Sequence, residues 1–461
     1  TLAAGVSQDD RLGRLITNVT VVKENYEGYD QSYRNGDKDG YNRETFQIKT
    51  KAVTDGGIEM TLKVRDASEK YDTDDYMGSV TDTAIHGSRS PSSYLYYVVD
   101  TNDKGKRDEV QTSLDLQKSS SSGKTKHSFL MAHTKYSNSL NGIKSTDNDQ
   151  ELIKYHYQQS LEDKSLRDTA KSVSIVLEHH NDKNQMNKAQ KRHGNALAFE
   201  YRQKFLNDSA LQLGGRIESG NRFKTAVTWK VGYVLPLITN STSLLFDAGT
   251  AVVNPTYGEI YGTAYASGNL NLIPEKNVSA SVGLKQNFTN QENYIKAVVF
   301  RDKLTNEIKG ANSAPYTPYN EVGDSTRNGV ELDMQFQPFS QTIISGNYSY
   351  LIAKNSDDTV EARRPRHSFN SQVEYQFAES KGHIALSATR IAKNYDVYSA
   401  SPYDSRKLPD YTKFDLTSSF NMKSNFSITG QISNLFDKEY SDIWGYRSAG
   451  RSFYLTAATK W

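Results

Sequence analysis

The feature that most constrains this chain is a two-residue alternation of apolar and polar side chains, repeated in segments of about ten residues. In "TKFDLTSSFNM" (412–422), Phe414, Leu416, Phe420 and Met422 share one face, and Lys413, Asp415, Thr417 and Asn421 share the other. The short polar break "KSN" (423–425) leads into "FSITGQIS", where Phe426, Ile428 and Ile432 alternate with Ser427, Thr429, Gln431 and Ser433. That spelling is a hairpin with a minimal turn. "HSFNSQVEYQF" repeats it with Phe369, Val373, Tyr375 and Phe377, then continues across "AESKG" into "HIALSA". The last segment, "SFYLTAATKW", sets Phe453, Leu455, Ala457 and Trp461 against Ser452, Tyr454, Thr456 and Lys460. Alternating segments of this length, with short turns at one end and long polar loops at the other, describe an all-β fold, a transmembrane antiparallel β-barrel. A closed sheet pairs every backbone group inside hydrocarbon and leaves no edge. A soluble sandwich or propeller predicts a more apolar buried face and loops of similar length at both ends.

Composition narrows the choice. Only 36% of the 461 residues are hydrophobic and the mean hydropathy is −0.71. No run approaches the ~18 consecutive apolar residues of a membrane-spanning helix. Disorder is equally excluded, because 30 Tyr and 17 Phe are too many aromatics for a chain that buries nothing. A net charge of +2 gives no footprint for a polyanion, so nucleic acid is not an expected partner. The absence of Cys removes disulfides and thiolate chemistry. No Ser/His/Asp or paired-carboxylate arrangement stands out, and an enzyme is not expected. The His179–His180 pair in "LEHHNDKNQ" reads as a solvated loop, and "KSSSSGKTK" (118–126) as a turn. No linker divides the chain, so residues 1–461 read as one barrel domain. The length suits 22 strands at about 21 residues each. The opening "TLAAGVSQDD" has neither Met nor an apolar leader, as in a processed or trimmed secreted chain.

Two stretches concentrate carboxylates. "GYDQSYRNGDKDG" (28–40) carries Asp30, Asp37 and Asp39, and "KYDTDDYMGSVTDT" (70–83) carries Asp72, Asp74, Asp75 and Asp82. Oxygen-rich loops without fixed geometry suit Ca²⁺ better than Mg²⁺. The apparent EF-hand at Asn35, Asp37, Asp39 and Gly40 fails, because its twelfth position is Phe46. Solvated turns use the same residues, so the residues alone leave both readings open.

The C-terminal "ISNLFDKEYSDIWGYRSAGRSFYLTAATKW" resembles the ending of TonB-dependent outer-membrane receptors through Asn434, Leu435, Phe436, Asp437, Lys438, Tyr440, Gly450, Arg451 and Trp461. Three further stretches are similar to that family in the same order: "NPTYGEIYGTAYASGNLNLIPEK" (254–276), "YNEVGDSTRNGVELD" (319–333) and "ARRPRHSF" (362–369). Within the family, Gly445, Tyr446, Ala449, Gly450 and Arg451 look like the cobalamin receptor branch. That resemblance implies Ca²⁺ bound by Asp30, Asp37, Asp39, Asp72 and Asp82, with Tyr71 beside them as part of a ligand wall. Asp74 and Asp75 have no counterpart and stand as substitutes for Asp72. It implies uptake of cobalamin or a similar chelate by a monomer in a Gram-negative outer membrane, surrounded by membrane lipid and lipopolysaccharide. It also implies a plug domain and TonB as partners, with the basic cluster Arg363, Arg364, Arg366 and His367 meeting plug carboxylates across the inner wall. This chain enters barrel strands almost at once and has no residues for a plug. A porin-like diffusion pore, or a docking surface for a partner protein or phage, is therefore the alternative expectation.

Overall fold

The computed structural model describes all residues except 1, 11–12, 33–35, 82–93, 238–240, 264–266, 289–291, 312–314, 380, 398–404 and 460–461. Trp461 and Asp82 lie outside the described residues. One antiparallel sheet of 21 strands dominates. Its first half comprises β1 (Leu2–Asp10), β2 (Gly13–Tyr29), β3 (Asp39–Val53), β4 (Ile58–Thr81), β5 (Tyr94–Ser119), β6 (Thr125–Leu140), β7 (Ile143–Ser160), β8 (Lys171–Asn184), β9 (Lys191–Lys204), β10 (Ala210–Gly220) and β11 (Ala226–Pro236). It continues through β12 (Thr242–Val253), β13 (Glu275–Asn287), β14 (Tyr294–Thr305), β17 (Asp324–Phe339), β18 (Thr342–Lys354), β19 (His367–Phe377), β20 (Gly382–Ala392), β23 (Tyr411–Lys423), β24 (Phe426–Ser433) and β25 (Ser452–Thr459). Two small hairpins, β15 (Ile308–Gly310) with β16 (Pro318–Asn320) and β21 (Tyr395–Val397) with β22 (Ser405–Lys407), rise from the connections. Among the described residues this sheet has 21 strands, beside the 22 expected from length, and β4 and β5 are long, at 24 and 26 residues.

Each strand pairs with its sequence neighbour, so register alone decides which side chains face lipid. Leu62, Leu114, Met131 and Ile153 are successive cross-strand partners on β4 to β7. Val373, Leu386, Leu416, Ile432 and Phe453 repeat the pattern from β19 to β25. These rows are exposed, with Leu62 at 46% and Phe453 at 72%. Such exposure suits a wall whose solvent on that side is hydrocarbon, with cross-strand pairs adding contact. The opposite face is polar: Arg65 meets Glu109 at 2.6 Å, and Arg216 bridges Glu178 at 2.9 Å and Glu218 at 2.7 Å. A one-residue slip would turn these ions into lipid, which fixes the register.

The longest connections, 254–274, 306–323, 393–410 and 434–451, all leave the same end, while the opposite end closes with turns such as 340–341 and 424–425. Long loops face the exterior in barrels of this kind. The two ends of the meander come together there: Tyr454 of β25 lies within electrostatic reach of Tyr26 of β2, and the Arg447 N–H donates to the Gln31 carbonyl at 3.0 Å. The "HH" pair is not in a loop. His179 and His180 belong to β8, where alternation sends them to opposite faces, and His179 Nδ1 lies 2.8 Å from Asn195 Oδ1.

Candidate functional site at the long-loop mouth

The mouth is ringed by loops that clamp one another in sequence. Loop 254–274 folds back toward the lumen, carrying α1 (Tyr257–Tyr261), a single turn started by a Thr256–Glu259 capping box. Arg192 on β9 holds it by donating to the Pro255 carbonyl at 2.9 Å while pairing with Asp182 at 3.1 Å. The Tyr257 hydroxyl, pushed up to about 12 by burial, donates to the Asp182 carbonyl at 2.9 Å. Asn320 then joins this loop to the next, accepting from the Ile273 N–H and donating to its carbonyl. Arg327 passes the connection on, binding Glu361 through two nitrogens at 2.8 and 2.7 Å.

Asp396, 1% exposed, is the next link. It accepts from Arg363 Nε at 2.9 Å and from the Trp444 N–H at 2.8 Å, tying loops 355–366, 393–410 and 434–451 together. Arg363 stands at φ +58°, a left-handed conformation that costs an arginine energy and is held by this pairing. Two members of the expected basic cluster are thus engaged within the loops, Arg363 with Asp396 and Arg364 with Glu361 at 3.1 Å.

The "NLFDK" and "AGR" residues prove to be the internal bracing of loop 434–451. The Asn434 amide binds the Lys438 N–H and carbonyl at 2.8 and 2.9 Å. Asp437 Oδ1 accepts the Arg451 N–H at 2.7 Å, and a Cβ on Gly450 would come within 2.9 Å of that oxygen. Braced in this way, the loop rests against loop 30–38, with Tyr29 beside Tyr440 and Asp442.

Here the two acidic stretches meet, through Asp39 and through Asp74, the named substitute for Asp72. Asp39, 7% exposed, shares the lumen face of β3 with Tyr41 and Arg43. On β4, Asp72 follows Met60 and Leu62 in alternation and points outward, with Lys104 Nζ at 3.9 Å. The pairing of β4 with β5 becomes irregular between Thr73 and Asp75, and there Asp74 meets Asp39. Burial first, then Asp74 and Asp37, push the Asp39 carboxyl up to about 6, while the Gln31 N–H pulls the other way. Asp30 serves its own loop, accepting from the Ser32 N–H and hydroxyl and the Gly36 N–H. Among the described residues, no group of three or more His, Asp or Glu is already disposed around a metal position. Tyr71 faces the lumen but lies flat on Gly105, where a Cβ would come within 2.0 Å of its ring. Its hydroxyl donates to Asn138 at 3.2 Å, and the Arg107 guanidinium sits 4.5 Å from its centroid. Below it, Arg43 and Arg107 flank buried Glu69.

Residues 4–435 match the family described as TonB dependent receptor-like, beta-barrel. The chain belongs to the TonB-dependent receptors. It is an integral protein of the outer membrane. Solved siderophore and ferric-catecholate receptors share this fold at low identity. The siderophore receptor PiuA from Acinetobacter baumannii is 14% identical with a TM-score of 0.74, over 100% of this chain and 79% of that one. The ferripyoverdine receptor of Pseudomonas aeruginosa is 13% identical with a TM-score of 0.75, over 99% and 69%. The ferric-catecholate import receptor Fiu from K12 E. coli is 13% identical with a TM-score of 0.70, over 99% and 80%. At these identities the likeness speaks for the fold alone.

The sequence missed Asp396 and the Arg192–Asp182–Tyr257 clamp, whose partners lie too far apart in the chain for any local pattern to join. Asp74 was in view only as a substitute for Asp72.

Proposed function

We propose that this receptor captures a metal chelate, cobalamin or a similar one, at the long-loop mouth, and that Ca²⁺ orders the corner where capture begins. The observation that carries the reading is the convergence of Asp39 and Asp74, from the mouth ends of β3 and β4, against the braced loop 434–451. Two carboxylates held together with an elevated pKa need a proton or a cation between them. The donors are all carboxylate oxygens, which fits a hard cation. Asp39 and Asp74 would hold it with help from Asp37, and its charge would offset their repulsion. Asp30 is engaged within its loop, and Asp72 is turned away.

Solved receptors named for siderophores and ferric catecholates have the same fold, which favours a chelate class without choosing its metal. The test uses outer membranes carrying the gene product as the cell makes it. Cyanocobalamin and a ferric catecholate are titrated with 1 mM-scale Ca²⁺ and again with chelator, an excess over the micromolar-to-millimolar range typical of such loop sites. Affinity for one ligand should rise at least several-fold with Ca²⁺. If neither binds under either condition and the protein conducts steadily in a planar bilayer, it is a diffusion pore.

A further inference from the structure

We propose that the hollow beneath loop 254–274 is an anion site, which takes one chloride-sized ion and thereby fixes that loop in place. Two arginines hold the loop to the wall. Arg192 of β9 donates to the Pro255 carbonyl at its start. Arg222, in the 221–225 connection between β10 and β11, donates to the Leu270 carbonyl near its end at 2.6 Å. Between these anchors the loop keeps its own shape, because Ile260 and Leu272 are buried and α1 is capped. The two arginines therefore set where the loop lies.

Both arginines line one hollow of about 20 Å³, together with His180, Gly194, Lys224 and Ala226. Small residues make the room. His180 lies over Gly194, where a Cβ would come within 2.5 Å of the imidazole ring, and Ala226 stands opposite Glu218 across β10 and β11. A water-sized occupant needs about 10–15 Å³, so this hollow admits a single ion and excludes a chelate. The site is thus separate from the acidic corner at Asp39 and Asp74.

The charges around the hollow do not balance. Arg192 is neutralised by Asp182 at 3.1 Å. Glu218, the one carboxylate among the lining residues, is taken by Arg216 at 2.7 Å. Arg222 and Lys224 make no ion pair among the described residues. Arg222 Nε is moreover buried without a hydrogen-bond partner. A buried N–H left unmade is costly, and more so on a charged group. A water would satisfy the N–H and leave the charge. An anion meets both through a charge-assisted hydrogen bond. With the ion in place, the Arg222 guanidinium is shared between it and the Leu270 carbonyl, and the far end of the loop is held down. Without it, Arg222 and Lys224 face one another as like charges, and that anchor loosens.

The test is hydrogen exchange of the folded protein in detergent, read on loop 254–274 while sodium chloride replaces sodium gluconate at constant ionic strength. Gluconate is too large for the hollow. Chloride should slow exchange several-fold and saturably in wild type, bromide should act alike, and loop 434–451 should not respond. Arg222→Gln should abolish the response. That change also weakens the Leu270 anchor, so a second variant, Lys224→Gln, should raise the chloride concentration for half the effect about ten-fold, the scale of one charged contact. Ala226→Leu should abolish the response by filling the hollow with both charges intact. Lys63→Gln, on β4 and five strands away, should change nothing. Heat-modifiable gel mobility verifies that each variant is folded. No chloride dependence in wild type overturns the proposal, as does an undiminished response in Arg222→Gln or Ala226→Leu. Equal slowing by sulfate at the same ionic strength overturns it too, since the anion would then be meeting exposed cations without regard to size.

Discussion

Two buried aspartates at the mouth have opposite circumstances. Asp396 is surrounded by donors: Arg363 supplies a positive charge and Trp444 an N–H, so the carboxylate is solvated by protein. Asp39 receives one long N–H bond of 3.2 Å from Gln31 and faces Asp74, which carries the same charge. The first arrangement closes three loops into a fixed collar. The second leaves a corner whose closure depends on what binds there. Burial is similar in both, so the difference lies in the sign of the neighbours, and it separates a structural clamp from a site.

The largest expected effect is at the clamp. Asp396→Ala should release loops 355–366 and 434–451 at a cost of about 2 kcal/mol, the order of a lost charged hydrogen-bonded pair whose arginine can reach water. Hydrogen exchange at the Trp444 amide should speed up roughly thirty-fold, while the barrel's unfolding midpoint stays put. If exchange is unchanged, the collar is held by something other than Asp396.

Next comes Asp39→Asn, which should act in the opposite direction in chelator. Removing one of two facing charges should slow exchange in loop 30–38 several-fold and abolish calorimetric Ca²⁺ uptake. Faster exchange would mean that Asp39 is already well served and that the contrast with Asp396 is false.

A smaller effect follows from pH. The folded pKa of about 6 lies above the ~3.9 of an unfolded aspartate, so the folded corner binds the proton more tightly. Its stability in chelator should therefore fall as pH rises from about 4 to about 6, then level off. Ca²⁺ affinity should climb over the same window as the proton leaves. Exchange in loop 30–38 against pH, with and without Ca²⁺, checks both.

The smallest effect separates the sequence's choice of ligand from the structure's. Asp72→Asn should leave Ca²⁺ uptake unchanged, because its carboxylate faces Lys104 across the outer surface, and exposed pairs contribute about 0–1 kcal/mol. A large loss of uptake would return Asp72 to the site.

The strands could be read from the sequence because alternation is a local property. Phe414 to Met422 and Phe369 to Phe377 fall on the faces that period two assigns them, and the turns at 424–425 and 120–124 lie where the polar breaks stand. The acidic stretches were also legible as a place. Which aspartates meet was not, since Asp72 keeps the outward alternation while Asp74 reaches Asp39 where the pairing with β5, some thirty residues on, turns irregular.

What the sequence determined by itself is the wall: a transmembrane barrel, its lipid and lumen faces, and its family, all carried by side-chain period and short motifs. Only the tertiary structure decided the chemistry of the mouth. Asp396 reaches Arg363 and Trp444 across 33 and 48 residues, and Tyr257 reaches Asp182 across 75. Pairings over such separations are set by the register of the closed sheet, which no single segment encodes.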